Sequence, residues 1–180
     1  MKSSLQRRLL LVAGSFFFYS WGNPIHLIFL ILSGLIDYLI GNELHRKKNV
    51  FFLFLSIGLN LGILSLFKFS DFASETFHFS IFNKSYLLSG IPIGVSFYTF
   101  QSMSYSIDIY RRKLEPAKDV FHFFSFLAFF PQLVAGPICR GSELLGQLEI
   151  LDSKEIKFEE AAKLLVIGFF QKMFLADQLF

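Results

Sequence analysis

The chain has 180 residues, of which 53% are hydrophobic and 17% are charged, and its formal net charge is +3. This composition excludes an ordinary soluble domain, because a domain of this size cannot bury so much apolar surface and lipid must cover the excess. The basic residues stand in short clusters between apolar runs, which is the pattern of membrane topology and not of nucleic-acid binding. We predict an all-α, polytopic integral membrane protein.

The first long apolar region, residues 9–40, predicts a helical hairpin. A cluster at residues 20–24 interrupts it, and the Gly, Asn and Pro of that cluster favour a turn. The first arm is short for a membrane span of about 20 residues, so we expect the preceding residues to contribute, with Arg7 and Arg8 extending to the interface. Trp21 would then mark the opposite interface.

Three basic clusters predict the topology. They lie near the start of the chain, at residues 45–48 and at residues 111–113, and an apolar run at residues 50–67 follows the second cluster. Clusters of Lys and Arg stay cytoplasmic in membrane proteins, so the chain would start inside and return inside at the second and third clusters. This pattern predicts a multi-pass protein of the inner (plasma) membrane.

Two later segments are irregular. Residues 87–110 would form the fourth crossing, but small and polar residues fill this segment, so it cannot be a lipid-facing helix. Residues 121–139 form an aromatic run that is cut at residues 131–132 and again at 136–137. This pattern predicts either a broken span or a re-entrant hairpin.

The last part of the chain mixes charged and apolar stretches. Residues 140–160 predict an interfacial helix or loop, and residues 158–179 resume an apolar pattern. We expect about five membrane segments in all, some of them broken or re-entrant. Nothing after Phe180 caps the last segment, so we expect residues 1–180 to be the amino-terminal part of one longer transmembrane domain.

Three acidic residues fall within the apolar segments: Asp37, Asp108 and Asp177. Ionisable residues at membrane depth are costly, so each is a candidate functional residue. A simpler interpretation puts each within a turn of an interface, where Asp37 and Asp108 would pair with the nearby basic clusters. The polar character of the fourth segment favours a function for Asp108 over the other two.

The histidines and the cysteine predict no catalytic or metal site. His122 lies in an irregular apolar segment, where a hydrogen-bonded structural role is commoner than that of a general base, and no HxxH or HExxH spacing occurs. Cys139 is the single cysteine, with no histidine nearby in sequence to take its proton, and is interpreted as structural. Because the sequence also has no GxxxxGK[ST] loop, we expect neither a metal nor a cofactor.

Four stretches carry a family resemblance. They are IPIGVSFYTFQSMSYSIDIYR at residues 91–111, FFPQLVAGPICR at 129–140, IGFFQKMFLAD at 167–177 and, more weakly, SFFFYSWGNP at 15–24, which DYLIG follows at 37–41. Taken in chain order, they resemble the membrane-bound O-acyltransferase family, and in particular its alginate O-acetyltransferase-like branch.

The resemblance implies a multi-helix fold around a membrane-embedded funnel, in which an acyl group delivered from one face is transferred to a hydroxyl of an acceptor. The presumed base of the family is a His in a Trp-x-x-x-His-Gly-like motif on a later helix, expected beyond residue 180, so no histidine of this chain inherits that role. Within the resembling stretches we predict five residues that line the funnel or couple helices: Tyr98, Gln101, Asp108, Gln132 and Arg140. Arg140 would either bind a carboxylate or phosphate group of a substrate or extend to the interface.

The predicted function is O-acetyl transfer to a hydroxyl of an exported cell-surface polysaccharide such as alginate. The implied partners are the lipid bilayer, an acyl donor or acyl-carrier partner, and the polysaccharide acceptor, reached directly or through a periplasmic or extracellular acetyltransferase partner. Within the family the alternative is D-alanyl transfer to teichoic acid, although PQLVAGP at residues 131–137 resembles the acetyltransferase branch more. From other classes, a transporter also uses polar broken helices, and an inactive structural subunit would insert without catalysis.

Overall fold

The computed structural model of the chain describes residues 4–21, 23–77, 92, 94–133, 136–149 and 157–178. Every regular element in these ranges is helical, which confirms the predicted all-α class. The α-helices are Ser4–Ser20 (α1), Pro24–Lys47 (α2), Val50–Phe77 (α3), Val95–Tyr110 (α4), Val120–Leu127 (α5), Phe130–Leu133 (α6), Gly141–Glu149 (α7) and Phe158–Phe170 (α8), and a π-helical turn follows at Gln171–Ala176. The chain divides into two compact units, Met1–Ile150 and Leu151–Phe180.

The break between the first two helices falls where the sequence predicts it. α1 ends at Ser20, and α2 begins at Pro24, whose fixed backbone angle suits the first helical position. The Asn23 side chain accepts a hydrogen bond from the backbone N–H of Ile25 at 3.0 Å and so caps α2. The predicted interruption of the apolar region is confirmed, although Gly22 lies outside the described residues.

Two helices in the described ranges are long and apolar enough to cross a membrane. They are α2, over 24 residues, and the part of α3 from Val50 to Phe69, over 20 residues. A helix of about 20 residues matches a hydrocarbon core of about 30 Å. Large apolar side chains such as Phe51 and Phe54 are exposed along α3, as expected of a surface that contacts lipid. The predicted total of about five segments goes beyond these two helices and stays a prediction.

The carboxyl-terminal ends of α2 and α4 meet. The Arg112 guanidinium, just after α4, donates a hydrogen bond to the backbone oxygen of His45 at 2.7 Å. Lys48 follows α2, and its Nζ lies over the ring of Tyr110, 5.8 Å from the ring centroid. We call this end of the first unit, where the second and third basic clusters lie, the basic end. The opposite end, where α2 and α4 begin, is called the far end.

Helix α4 occupies the interior of the first unit. It packs against α2 and α3, and also against α5 and α7. Its buried residues are Val95, Tyr98, Thr99, Gln101, Ser102, Tyr105, Ser106, Asp108 and Ile109. The helical part of the predicted fourth crossing is therefore mostly interior, as its polar composition predicts, and residues 87–91 lie outside the described part.

Two glycines of α2 allow neighbouring helices to approach its backbone. A Cβ atom at Gly41 would lie 2.6 Å from Cε1 of Tyr105, and one at Gly34 would lie 2.7 Å from Cε1 of Phe124. Both distances are far below van der Waals contact, so a side chain at either position would collide with an aromatic ring. The backbone of α2 is thus the surface on which α4 and α5 pack.

The segment at residues 119–133 runs from the basic end into the first unit. At its start Asp119 forms an ion pair with Arg8, near the beginning of α1, with 2.8 Å between Oδ2 and Nη1. Further along, the Phe130 ring lies against the ring of Phe18, near the end of α1, with 5.5 Å between centroids. The segment therefore follows α1 in the same direction, towards the far end.

The tip of this segment lies against the start of α4. Gly94, the residue before α4, has a φ of 72°, and a Cβ atom there would collide with the backbone oxygen of Leu133. Only glycine combines this left-handed backbone with such close contact at low cost. After Leu133, the backbone N–H of Gly136 donates to the oxygen of Gln132 at 2.9 Å and turns the chain.

The chain then returns to the basic end. Ser142 Oγ, in the first turn of α7, donates to Oδ2 of Asp108, in the last turn of α4, at 3.1 Å. The His122 ring, in the first turn of α5, lies with Nε2 3.0 Å from the backbone oxygen of Leu145. Residues 119–142 thus enter and leave the first unit at the same end, and we call them the 119–142 hairpin.

Two local expectations are corrected by this geometry. The first break does not fall at residues 131–132, because α5 ends at Leu127 and Pro131 lies in the first turn of α6, where its missing N–H is not needed. Arg8 does not extend outwards, because its side chain is buried and pairs with Asp119 inside the unit. Arg7 also has an interaction partner.

The second unit contains α8 and the π-helical turn. None of the described residues of α8 is buried within the unit, and apolar side chains such as Phe158 and Leu164 are exposed. The rings of Phe170 and Phe174 stack at 5.1 Å. The apolar pattern predicted for residues 158–179 thus forms helix through most of its length.

Candidate functional site

A polar cluster lies inside the apolar bundle at the middle of α2. Asp37 is only 2% exposed. Its carboxylate accepts hydrogen bonds from Ser56 Oγ at 2.6 Å and from Asn60 Nδ2 at 2.8 Å, both on α3, and from Ser102 Oγ on α4. The hydroxyls of Ser56 and Ser106 are 2.8 Å apart. We call these five residues the Asp37 cluster.

Helical spacing explains how the cluster forms. Ser56 and Asn60 are four residues apart on α3, and Ser102 and Ser106 are four apart on α4, so each pair shares one helix face. Asp37 sits between the two faces and accepts from both. The hydroxyl and amide donors that point at Asp37 are thus satisfied within the cluster. This geometry supports a role in joining α2, α3 and α4 in one relative alignment.

The expectation that Asp37 pairs with a basic cluster is wrong. No described basic residue forms an ion pair with it, and hydroxyl and amide groups surround it instead. Ten residues of helix separate Asp37 from Lys47, a distance of about 15 Å at 1.5 Å per residue. That distance puts the basic residues out of reach.

Asp108 and Asp177 differ in their surroundings. Asp108 is 7% exposed and accepts a hydrogen bond from Ser142, and no ion pair to it is formed by the described residues, so the predicted pairing with residues 111–113 is also wrong. Its contact joins α4 to α7. Asp177 is exposed and accepts from Lys172 Nζ at 2.6 Å, within the second unit.

Two of the five predicted site residues are buried in the first half of α4. Gln101 Nε2 donates to the backbone oxygen of Phe126 at 3.0 Å, which satisfies a carbonyl at the end of α5. Tyr98 is 1% exposed, and its hydroxyl has no hydrogen-bond partner among the described residues other than Tyr19.

Two others lie in the hairpin itself. Gln132 Nε2 donates to the backbone oxygen of Pro137, so this side chain closes the turn at the tip. Arg140 is exposed just before α7, where its backbone N–H donates to Glu143 Oε2 at 3.4 Å. Tyr98, Gln101 and Gln132 therefore lie towards the tip and the other two near the basic end. The five residues are spread along the hairpin and do not converge on one point.

The His122 ring is engaged on both sides. Its Nδ1 accepts from the backbone N–H of Lys118 at 3.3 Å, so the proton is assigned to Nε2, which faces the Leu145 oxygen. This arrangement agrees with the predicted structural role. Cys139 is partly buried, and within the described ranges no group of three or more His, Cys, Asp or Glu side chains could hold a metal ion.

Two tyrosines that the sequence analysis did not pair lie together in the interior of the first unit. Tyr19, at the end of α1, is 6% exposed and lies close enough to Tyr98 for their hydroxyl groups to interact. Neither hydroxyl makes a hydrogen bond to any other described residue. Helix packing alone creates this pair, since the two positions are 79 residues apart in sequence and no local motif contains both.

Comparison with known proteins identifies relatives across nearly the whole chain. It is 33% identical over 183 residues to the probable alginate O-acetylase of Pseudomonas putida, a match that covers 96% of this chain and 38% of the relative. The corresponding protein of Pseudomonas aeruginosa is 32% identical, with 96% and 35% covered. The peptidoglycan O-acetyltransferase of Helicobacter pylori is 30% identical over 210 residues, with 98% and 40% covered.

The chain belongs to the membrane-bound O-acyltransferase family. The resemblance predicted from the four stretches is confirmed. The chain spans 35% to 40% of the length of these three relatives. No protein-family model matches the chain, and no solved structure matches it. Together with the two apolar helices, the homology indicates a membrane protein.

Proposed function

We propose that this chain is part of an O-acetyltransferase that esterifies hydroxyl groups of an exported cell-surface polysaccharide, such as alginate or the glycan of peptidoglycan. The observation that carries the proposal is the match over at least 96% of the chain to relatives that are named alginate O-acetylase and peptidoglycan O-acetyltransferase. These names do not favour D-alanyl transfer. A transporter or an inactive subunit has no support from them.

The proposed reaction is acyl transfer. The acceptor hydroxyl oxygen attacks the acyl carbonyl carbon, a new C–O bond forms, and the bond between the acyl group and its carrier breaks. The proton of the hydroxyl ends on the leaving group, passing through a base that the family resemblance puts outside this chain. Residues of this chain would supply the walls of the site and orient the reactants.

We also propose the topology that the basic clusters predict. In this arrangement the basic end is cytoplasmic, α1 to α4 cross the inner membrane, and the 119–142 hairpin is re-entrant from the cytoplasmic side. The hairpin supports this because it enters and leaves at one end. Residues 1–180 would then form part of a single transmembrane domain, facing a cytoplasmic acyl carrier at one end and the acceptor at the other.

The five predicted residues have different roles in this proposal. Gln101, Asp108 and Gln132 couple the hairpin to α4 and α7 or close its tip, because each side chain already has a partner there. Arg140 is exposed at the proposed cytoplasmic face, where it is available to an anionic group of the acyl carrier. Tyr98 is the one whose hydroxyl remains open to a bound reactant.

The test is acetylation of a polymer in cells. The gene that encodes this chain, with its natural flanking sequence, is expressed in a Pseudomonas strain that lacks its own alginate O-acetylase, and a frameshifted copy serves as control. We expect O-acetyl esters to appear on secreted alginate, measured by infrared spectroscopy, or on muropeptides, measured by mass spectrometry. If neither polymer gains esters although the protein is in the membrane fraction, the proposed function is rejected.

A further inference from the structure

Two buried tyrosine hydroxyls carry a further inference. Tyr19 and Tyr98 come from different helices, are almost fully buried and lie close enough for their hydroxyls to interact, yet neither hydroxyl hydrogen-bonds to any other described residue. Buried polar groups in folded proteins are normally satisfied, so each exception calls for an explanation. An absent partner that binds between them is the simplest one.

The number of O–H protons on the two tyrosines indicates what kind of ligand group they could bind. Each phenol carries one O–H donor, and a hydrogen bond between the two hydroxyls would use only one of the two protons. At least one donor therefore remains for an acceptor, and both remain if the two point at a common atom. An oxygen with two lone pairs, such as a carbonyl oxygen, can accept from both at once.

The surroundings of the pair favour an uncharged ligand group at membrane depth. Tyr19 follows Phe18, whose ring packs on Phe130 at the hairpin tip, and Tyr98 lies one turn after Gly94, which touches Leu133. Thirteen residues of α4 separate Tyr98 from Arg111, about 20 Å along the helix axis. The pair thus lies deep in an apolar region, where hydrogen bonds are strong.

We propose that the hydroxyls of Tyr19 and Tyr98 form a two-donor site for the carbonyl oxygen of the acyl group, which is carried as a thioester or ester. This inference rests on the proposed function and names residues for it. As the acceptor oxygen attacks, the C=O π electrons move to the carbonyl oxygen, and the two O–H groups stabilise the negative charge there. When the C=O bond reforms, the carrier sulfur or oxygen leaves with the bonding pair and gains the proton lost by the acceptor hydroxyl.

The first experiment uses the protein expressed from its natural gene and purified into lipid nanodiscs, with a short acetyl thioester labelled with ¹³C at its carbonyl. Two hydrogen bonds should move the carbonyl infrared band of the bound probe to lower wavenumber than that of probe in empty nanodiscs. The shift should shrink in Tyr98→Phe and in Tyr19→Phe and vanish in the double variant. Tyr110→Phe, whose ring lies under Lys48, is the matched control and should keep the shift.

A structural role for the hydroxyls predicts a different result. If they were satisfied within the fold, Tyr98→Phe would lower the melting temperature of the probe-free protein. Because a bond between the two hydroxyls uses at most one of their two protons, one buried donor stays unsatisfied, and we expect Tyr19→Phe and Tyr98→Phe to melt close to the parental temperature. A lower melting temperature, an unshifted band in the parent chain, a shift that survives in the double variant or a failure of the probe to bind would each overturn the inference.

The cellular assay separates this inference from the proposed function. With the natural gene, each Tyr→Phe change should reduce polymer acetylation about 100-fold, the usual effect of removing one oxyanion-binding donor. Acetylation at the parental rate in both variants would reject the tyrosine site and leave the acetyltransferase function standing. If the parent gene gives no acetylation, the function itself fails.

Discussion

At the scale of single residues, Asp37 has more side-chain donors around its carboxylate than any other described acidic residue of the first unit. Donors from α3 and α4 converge on its two oxygens. A cluster of this kind holds helices together in a membrane, where the hydrophobic effect does not drive helices towards one another. The cluster should therefore be a large contributor to the stability of the three-helix packing.

Replacing Asp37 tests this role. Asp37→Leu leaves three buried donors without an acceptor, and at about 1–3 kcal/mol for each we expect a clear drop in melting temperature in detergent. Asp37→Asn keeps one carbonyl oxygen and should lose much less stability. Asp177→Asn is the control, because it breaks only an exposed ion pair worth about 0–1 kcal/mol. An Asp37→Leu protein as stable as the parent would contradict the role.

The ion pair between Arg8 and Asp119 allows a cleaner measurement. Asp119 also caps α5, since its Oδ1 accepts from the His122 N–H at 2.7 Å. Asp119→Asn keeps a capping oxygen and removes only the charge, so a double-mutant cycle with Arg8→Gln isolates the ion pair. Because Arg8 is buried and Asp119 is partly exposed, we expect a coupling of about 1 kcal/mol. Strictly additive effects on unfolding free energy would show that the pair contributes nothing.

Sequence patterns singled out buried polar residues better than they predicted the partners of those residues. Asp37 was recognised as a costly acid, but its true neighbours, such as Asn60 and Ser102, lie on helices whose relative rotation no local pattern specifies. The Ser56/Asn60 and Ser102/Ser106 spacings are the signals that could have found the cluster. The pairing of Tyr19 with Tyr98 has no such signal, because it depends only on packing.

At the scale of elements, α2 is the helix on which the others pack. Its two contact glycines decide how closely α4 and α5 approach, and its caps decide where it begins and ends. The start of α2 and the apolar part of α3 follow from turn residues and run length, and the sequence predicts them. The end of α2 was misplaced, because the helix continues past the apolar region, which ends at residue 40, to Lys47. The break between α5 and α6 was misplaced, because Pro131 is tolerated in the first turn of a helix and so does not mark its end.

Alanine substitutions in α2 and α3 test this packing. Gly41→Ala and Gly34→Ala place a methyl group within 2.6 and 2.7 Å of aromatic carbons, and such overpacking costs about 1–3 kcal/mol. Gly58→Ala is the matched control, because nothing lies within 4 Å of its Cβ position. It should gain up to about 1 kcal/mol from helix propensity. In thermal unfolding, Gly41→Ala and Gly34→Ala should melt below the parent and Gly58→Ala at or above it. Equal effects at all three sites would refute the packing model.

At the scale of the whole molecule, the 119–142 hairpin decides how many times the first unit crosses the membrane. A spanning segment would put residue 138 on the opposite side from residue 113, whereas a re-entrant one puts both on the same side. Composition cannot distinguish the two, since both need the same aromatic run and the same breaks. The answer depends on contacts between positions far apart in sequence, such as Asp108 with Ser142.

Thiol labelling in intact cells distinguishes the two arrangements. In a Cys139→Ser background, Ile138→Cys and Lys113→Cys should both resist a membrane-impermeant maleimide added outside, and both should react once the membrane is opened. Trp21→Cys, at an 80% exposed position, should react from outside. Labelling of Ile138→Cys from outside would show that the segment spans and would reject the re-entrant proposal.

The hairpin also has a consequence for the order in which the protein is made. Its slot is bounded by α1, α2 and α4, all of which leave the ribosome before residue 119. Until the hairpin arrives, the Phe124 ring that packs on Gly34 is missing, and this part of the α2 surface stays uncovered. Chains paused near residue 113 would therefore be inserted but loosely packed. In the proposed topology, the aromatic hairpin would then enter its slot after α1, α2 and α4 are in place, from the side on which synthesis takes place.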